Sequence, residues 1–264
     1  MSQKPPPKQF VKTAINGTKF VLLVSSAKGG VGKSTVAVNL AFALQNLGLK
    51  IGILDADVYG PSLPKLINLN EKPKSEDGKA MVPLEKYGAQ FMSLGFLVDE
   101  KTPMIWRGPM VTSAIKTFTQ QVNWKDLDFI IVDMPPGTGD TQLTFSQGIE
   151  MNGAIIVSTP QEVALLDVKR GIKMFDKLGV KILGLIDNMS SFTGDDGKKY
   201  AIFGEGGVKR TAEEFNKEFL AEIPIDPDVG KFGDHGKPRV ESNPNNKISL
   251  IYINLAKKIK SIYL

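Results

Sequence analysis

The sequence predicts an α/β protein built on a doubly wound, mostly parallel sheet with helices on both faces. Three observations carry this. Short apolar runs alternate with amphipathic segments from Phe20 onward, and Phe129-Ile130-Ile131-Val132 is apolar without a break. A glycine-rich turn joins the first apolar run, Phe20 to Val24, to the first helical pattern, Val36 to Leu47. Strands buried on both faces read as continuous apolar runs, and strand–helix alternation favours a parallel sheet with its ligand at the strands' C-terminal ends.

Taken in order, residues 1–16 carry Pro5-Pro6-Pro7 among scattered lysines and read as a flexible lead-in, with 17–264 as a single domain. Strands are predicted at 20–25, 51–55, 90–94, 129–133, 154–158, 182–187 and 220–223. Helices are predicted at 34–47, 61–66, 109–121, 140–150, 163–177, 207–216 and 247–262. The stretch 67–90 is least regular and reads as an excursion or small hairpin outside the main sheet, while Gly194-Asp195-Asp196-Gly197 marks a hairpin tip. Ile248, Ile251, Leu255, Ile259 and Ile262 recur at helical spacing with Lys257, Lys258 and Lys260 among them. Such a helix suits a membrane surface or a dock against the sheet; the dock is favoured, because outer helices of this fold need the same stripe.

Composition narrows the function classes. The net charge of +5 comes from 33 basic and 28 acidic residues, and the only arginines are Arg107, Arg170, Arg210 and Arg239. A protein that reads bases is expected to carry more arginine forks, so no specific nucleic acid is predicted. With no cysteine in 264 residues, this chain has neither disulfides nor thiolate ligands for a zinc or iron–sulfur site. No run reaches the roughly 18 apolar residues of a spanning helix, and the Lys- and Pro-rich start lacks the apolar core of a signal peptide. A cytoplasmic protein is expected.

The richest stretch is Ala27-Lys28-Gly29-Gly30-Val31-Gly32-Lys33-Ser34-Thr35. Glycines let backbone N–H groups turn inward around an anion, and the helix that opens behind them adds its partial positive charge. Lys33 is placed to reach terminal phosphates and the Ser34 hydroxyl to hold Mg²⁺. A dinucleotide fingerprint competes, since Gly30, Gly32 and Asp55 fit it; Thr35 stands where its third glycine belongs, and the Lys33-Ser34 pair decides for a nucleoside triphosphate.

Carboxylates at strand ends complete the pattern. Asp57, just past the 51–55 strand, suits orienting a water for in-line attack, with Asp55 nearer the Mg²⁺ shell; either also suits capping a turn. Asp133 ends the most apolar strand, the Walker B position for Mg²⁺. In Pro135-Pro136-Gly137-Thr138-Gly139-Asp140, Gly137 either offers its N–H to a γ-phosphate as a switch or serves a stiff turn. The Asn188 amide fits an adenine edge or a turn equally well. His235, with no cysteine near it, is a poor metal site, and Trp106-Arg107-Gly108-Pro109 reads as core packing or a partner contact.

Several stretches together resemble one family. They are Lys28 to Thr35, Asp55-Ala-Asp-Val-Tyr-Gly-Pro-Ser62, Trp106 to Met110, Asp133 to Asp140, Asn188-Met-Ser190 and Phe203-Gly-Glu-Gly-Gly207. Over about residues 10–264 the chain is similar to the Mrp/ApbC group of P-loop ATPases, iron–sulfur cluster carriers within the MinD/ParA/nitrogenase-iron-protein class. The resemblance implies a homodimer that sandwiches ATP and Mg²⁺ and meets iron–sulfur clients or scaffolds. Within it Lys28 would reach the partner's nucleotide, and Gly29 to Thr35 would cradle phosphates. Lys33 and Asp57 would serve hydrolysis; Ser34, Asp55 and Asp133 would serve the metal. Asn188 would touch adenine, with Pro224 to Asp226 closing that pocket. The family's Cys-x-x-Cys pair is missing, for its place reads Thr193-Gly-Asp-Asp-Gly-Lys198. Asp195 and Asp196 are poor substitutes, since carboxylates favour hard cations. Two other roles stand beside cluster delivery, a positioning ATPase of the ParA/MinD kind and a cluster-free adaptor.

Overall fold

Strands β1 (Thr18–Ser25) and β5 (Leu127–Asp133) run parallel at the centre of the sheet, in register from Thr18 with Leu127 to Val24 with Asp133. They come from a computed structural model that describes residues 12–75, 78, 80–97 and 108–264. β2 (Ile51–Asp55) flanks β5, followed outward by β4 (Ala89–Ser93) and β3 (Leu84–Lys86). Beyond β1 lie β6 (Gly153–Ser158) and then β7 (Ile182–Thr193), which pairs both with the short β8 (Lys199–Tyr200) and with β9 (Phe219–Ile225). The pairings between these strands are parallel except β3 with β4 and β7 with β8. The chain leaves the centre toward β2 first and toward β6 later, so the crevice where the winding reverses lies at the C-terminal ends of β1 and β5.

Two cores cover the sheet. On one face α1 (Lys33–Asn46) packs with α9 (Lys247–Tyr263) over Leu22, Val24, Phe129, Ile131, Ile155 and Val157, and the short α2 (Leu63–Leu66) adds Leu63 to the same core. The other face holds Leu23, Ile130, Val132 and Ile156 under α3 (Gly108–Gln120), α4 (Asp140–Gly148), α5 (Glu162–Lys177) and α6 (Gly207–Glu214). The alternation within β5, Phe129 and Ile131 to one core and Ile130 and Val132 to the other, is why that run is apolar throughout.

The terminal helix docks. Ile248, Tyr252, Leu255, Ala256 and Ile259 of α9 are buried, whereas Ile262 is 43% exposed. Burying Ile248, Leu255 and Ile259 contributes roughly 5–9 kcal/mol together, which a helix lifting off to a membrane surface would forfeit. Among the described residues no helix is long and apolar enough to cross a membrane.

Several boundaries differ from the sequence reading. The stretch 67–90 does not stay outside the main sheet: β3 pairs antiparallel with β4, and β4 continues the sheet from β2. Tyr87 and Gly88 both take positive φ, 51° and 75°, the backbone of a tight hairpin turn, and Gly88 permits it. Thr13 bridges to Ile149 and Ile15 is buried, so ordered chain begins before residue 17; residues 1–11 lie outside the described ones. So do Trp106 and Arg107. β7 runs past residue 187 to Thr193 and turns back to β8 through Gly194 to Gly197, where the Gly197 N–H donates to the Gly194 carbonyl at 2.9 Å. Helices α7 (Pro227–Asp234) and α8 (Arg239–Ser242) escaped the sequence reading because Gly230, Gly233 and a four-residue length leave no period to see. Their anchor is Arg239, buried at 6% exposure, whose guanidinium bonds Asp228 at 3.1 Å and lies 5.0 Å from the Phe232 ring centre.

Candidate functional site

The glycine loop sits between β1 and α1, and its shape follows from its residues. Gly30 and Gly32 take φ of 80° and 81°, a left-handed backbone that a side chain would strain. A Cβ at Gly32 would overlap the Asn188 amide nitrogen, while Gly29 and Gly30 face open space. The Ser26 hydroxyl donates to the Lys28 carbonyl at 2.9 Å and ties the start of the loop. On its far side Asn188 Nδ2 donates to the Val31 carbonyl at 2.8 Å, so β7 braces the loop. Gly29, Gly30, Gly32, Lys33, Ser34 and Thr35 line a cavity of about 240 Å³ together with Ser26, Asp57, Ser62, Leu66 and Pro136.

The register of the strands delivers the charges. Asp55 ends β2 directly beside Asp133, which ends β5. Lys33, 6% exposed, bonds the Asp133 carboxylate and lies 3.8 Å from Asp57 Oδ2 and 3.3 Å from Ser34 Oγ. A buried ammonium with two carboxylates is held by pairing that offsets its lost hydration. Asp57 is pushed above the ordinary carboxylate range, chiefly by burial, with Lys33 and the N–H groups of Tyr59 and Gly60 opposing the shift. Asp55 is raised to about 7 by complete burial and then by the neighbouring Asp133.

The sequence-predicted residues separate into groups. Lys33, Ser34, Thr35, the loop glycines and Asp57 converge on the cavity, and Asp133 meets them through Lys33. Asp55 does not line it; its oxygens accept from Asp57 N at 3.0 Å, Leu63 N at 3.0 Å and Ser93 Oγ at 3.1 Å, so it organises the loop that presents Asp57. Lys28 is exposed and does not line the cavity. Gly137, at φ 101°, donates its N–H to the Ser26 carbonyl at 2.9 Å, which ties the segment after β5 to the phosphate loop. Pro224 and Asp226 line a separate cleft of about 650 Å³ between the end of β9 and the start of α9, where Asp226 also caps α7 by accepting from Asp228 N at 2.8 Å.

The donors suit Mg²⁺. A hydroxyl and carboxylates are hard oxygen ligands, and Mg²⁺ keeps several waters and borrows substrate phosphates, so it needs no protein cage. An iron–sulfur cluster does not fit. The chain has no cysteine, and among the described residues no three His, Cys, Asp or Glu side chains gather as a metal site. At the place of the family's cysteine pair, Asp196 accepts from Lys198 N at 3.0 Å and from the Tyr200 hydroxyl at 2.8 Å, so it serves its own turn.

The comparisons with known proteins now bear on this geometry. The family model for the ParA-type NUBPL iron-transfer P-loop NTPase matches residues 17–260. The chain belongs to that family. It is 49% identical over 247 residues to the iron–sulfur protein required for NADH dehydrogenase of Arabidopsis thaliana, covering 93% of this chain and 79% of that one. Identity is 45% over 256 residues to the iron–sulfur cluster carrier protein of Aquifex aeolicus, 96% of this chain and 70% of the other. Among solved structures, the ADP complex of a nucleotide-binding protein from Archaeoglobus fulgidus superposes with TM-score 0.74 at 39% identity, covering 85% and 88% of the two chains. The cell-division ATPase MinD of Pyrococcus furiosus, at TM-score 0.67 and 21% identity over 92% and 99% of the chains, shares the fold. The family is one of P-loop NTPases, and nucleotide hydrolysis is the activity of the class.

Sequence reasoning missed Gln142, Tyr59, Thr141 and Asp187. Gln142 is buried and its amide bonds Ser25 Oγ, fastening α4 to the end of β1. Asp187 is 2% exposed with Oδ1 unpartnered, and it sits across from Glu222 on β9. Burial, then Glu222, raises it from 3.8 to about 7. The folded chain therefore holds a proton the unfolded chain releases, and stability declines as pH climbs from about 4 to about 7. Asp187→Asn is expected to remove this slope, by a few kcal/mol at most at about 1.4 kcal/mol per unit. Thermal unfolding from about pH 5 to pH 8 checks it: the wild-type midpoint falls more steeply than that of the variant.

Proposed function

We propose that this chain is a Mg²⁺-dependent ATPase that acts as a homodimeric switch in delivering iron–sulfur clusters to client proteins, without cluster ligands of its own. The observation that carries the reading is the convergence of Lys33, Ser34 and Asp57 on one glycine-lined cavity, with Asp133 bonded to Lys33. Loop N–H groups and the α1 N-terminus take the phosphates, and Lys33 exchanges its bonds to Asp133 for bonds to the terminal phosphates. Ser34 and Asp133 would hold Mg²⁺, which would supply charge neutralisation at the phosphates. Asp57 orients the attacking water, and the raised affinity of its carboxylate for protons favours that task. Lys28 is exposed and does not line its own cavity, so in the homodimer it is the lysine available to the nucleotide of the second chain.

In this reading Asn188 faces the base while it braces Val31, and the strand end at Pro224 to Asp226 borders the adenine. Gly137 exchanges the Ser26 carbonyl for the γ-phosphate, which makes the 135–140 segment sensitive to hydrolysis. The relatives named for cluster transfer support the biological role. Anaerobic incubation with iron and sulfide, with and without Mg²⁺-ATP, followed by desalting and iron analysis, tests it. Mg²⁺-dependent ATP turnover with no retained iron is expected. Retained iron and sulfide would overturn the ligand-free form, and absence of ATP turnover would overturn the switch.

A further inference from the structure

Asp57 can orient a water only if its own loop is held, and the structure shows what holds it. Asp57 Oδ1 accepts from Tyr59 N at 3.1 Å and Gly60 N at 3.4 Å, so its carboxylate is fixed by the backbone that carries Tyr59. The Tyr59 side chain is 65% exposed and contributes little packing, yet its hydroxyl lies 2.9 Å from Thr141 Oγ1, where either group can donate. Thr141 stands in the first turn of α4, next to Gln142, whose buried amide bonds Ser25 at the end of β1. A few residues before it, Gly137 bonds Ser26. Thr141 is thus a fixed point on the phosphate-loop side of the crevice, and Tyr59 reaches it from the Asp57 side.

We propose that Tyr59 is a positioning residue for hydrolysis: its hydroxyl, joined to Thr141, straps the loop of Asp57 to α4 so that the two nucleotide-sensing segments move together. This rests on the reading of Asp57 as the carboxylate that orients water. The strap bounds the swing of the 57–60 turn and transmits any displacement of the 137–141 segment to Asp57. A neutral hydrogen bond at an exposed site has a modest net strength, which sets the expected change in turnover at about three- to tenfold.

Steady-state ATP hydrolysis by Tyr59→Phe, Thr141→Val and the double variant, with Asp57→Asn and Thr141→Ser alongside, tests the strap. Expected are kcat values about three- to tenfold below wild type for Tyr59→Phe and Thr141→Val, with KM within about twofold and the double variant no slower than either single. Thr141→Ser, which keeps the hydroxyl, is expected to restore turnover. A purely structural role would raise KM or add the two losses, and either result overturns the strap. Wild-type turnover in Tyr59→Phe with Asp57→Asn inactive would overturn the strap alone. Wild-type turnover in Asp57→Asn would overturn the reading of Asp57 and the strap with it.

Discussion

Replacing Lys33 by alanine is expected to weaken ATP binding on the order of a hundredfold or more, the largest single effect at this site. The ammonium is the one positive side chain among the described residues lining the cavity, and charge-assisted bonds to phosphate are among the strongest a side chain makes. The loss has a second consequence in the nucleotide-free chain. Lys33 compensates the buried Asp133 and Asp57, so its removal leaves two carboxylates without their cation and costs about 3–5 kcal/mol of stability. Titration with a fluorescent ATP analogue measures the first effect and urea unfolding the second. Ser34→Ala, which leaves the ion pairs intact, separates them: it is expected to weaken Mg²⁺-ATP binding without the stability loss. Wild-type affinity in a folded Lys33→Ala chain would remove the cavity as the phosphate site.

Lys28→Ala is expected to leave ATP affinity within about threefold of wild type and to lower turnover by about a thousandfold, the scale for a cation supplied to a phosphoryl-transfer site from a partner. Lys28 is exposed and does not line its own cavity, and the proposed dimer gives its charge a nucleotide to act on. Mixing variants decides this. In a twofold dimer that pairs a Lys28→Ala chain with an Asp57→Asn chain, one site keeps its own Asp57 and receives an intact Lys28 from the other chain. An equal mixture of the two inactive proteins is expected to recover about a quarter of wild-type turnover, half the dimers being mixed and half their sites complete. If Lys28 acted on its own chain's nucleotide, the mixture would stay inactive.

The glycine loop was legible because its signal is local. Gly30 and Gly32 announce a left-handed backbone, and Lys33-Ser34 follow at fixed spacing within one strand–turn–helix unit. Asp133 was legible for a related reason, since an unbroken apolar run marks a central strand and names the residue at its end. Tyr59 and Thr141 were not legible, for the atoms that meet are 82 positions apart and neither residue sits in an apolar period. Gln142, which meets a serine 117 positions away, was hidden in the same way.

The β3–β4 hairpin shows a different limit. Its turn was recognisable in kind, but whether it joined the sheet depended on the edge that β2 offers to β4, a contact between distant segments. Asp55 likewise read as a second metal-side carboxylate. The fold instead buries it beneath the 57–63 loop, where its oxygens accept two backbone N–H groups and a serine hydroxyl.

By itself the sequence determined the fold class, the family, the glycine loop between the first strand and helix, and the absence of thiolate ligands, because each rests on residue type and short spacing. Only the tertiary structure decided which carboxylate faces the cavity, what braces the Val31 carbonyl, and that Lys33 rests against Asp133. Those outcomes depend on strand register and on which side of the sheet each side chain leaves. Both are set by packing summed over the whole chain.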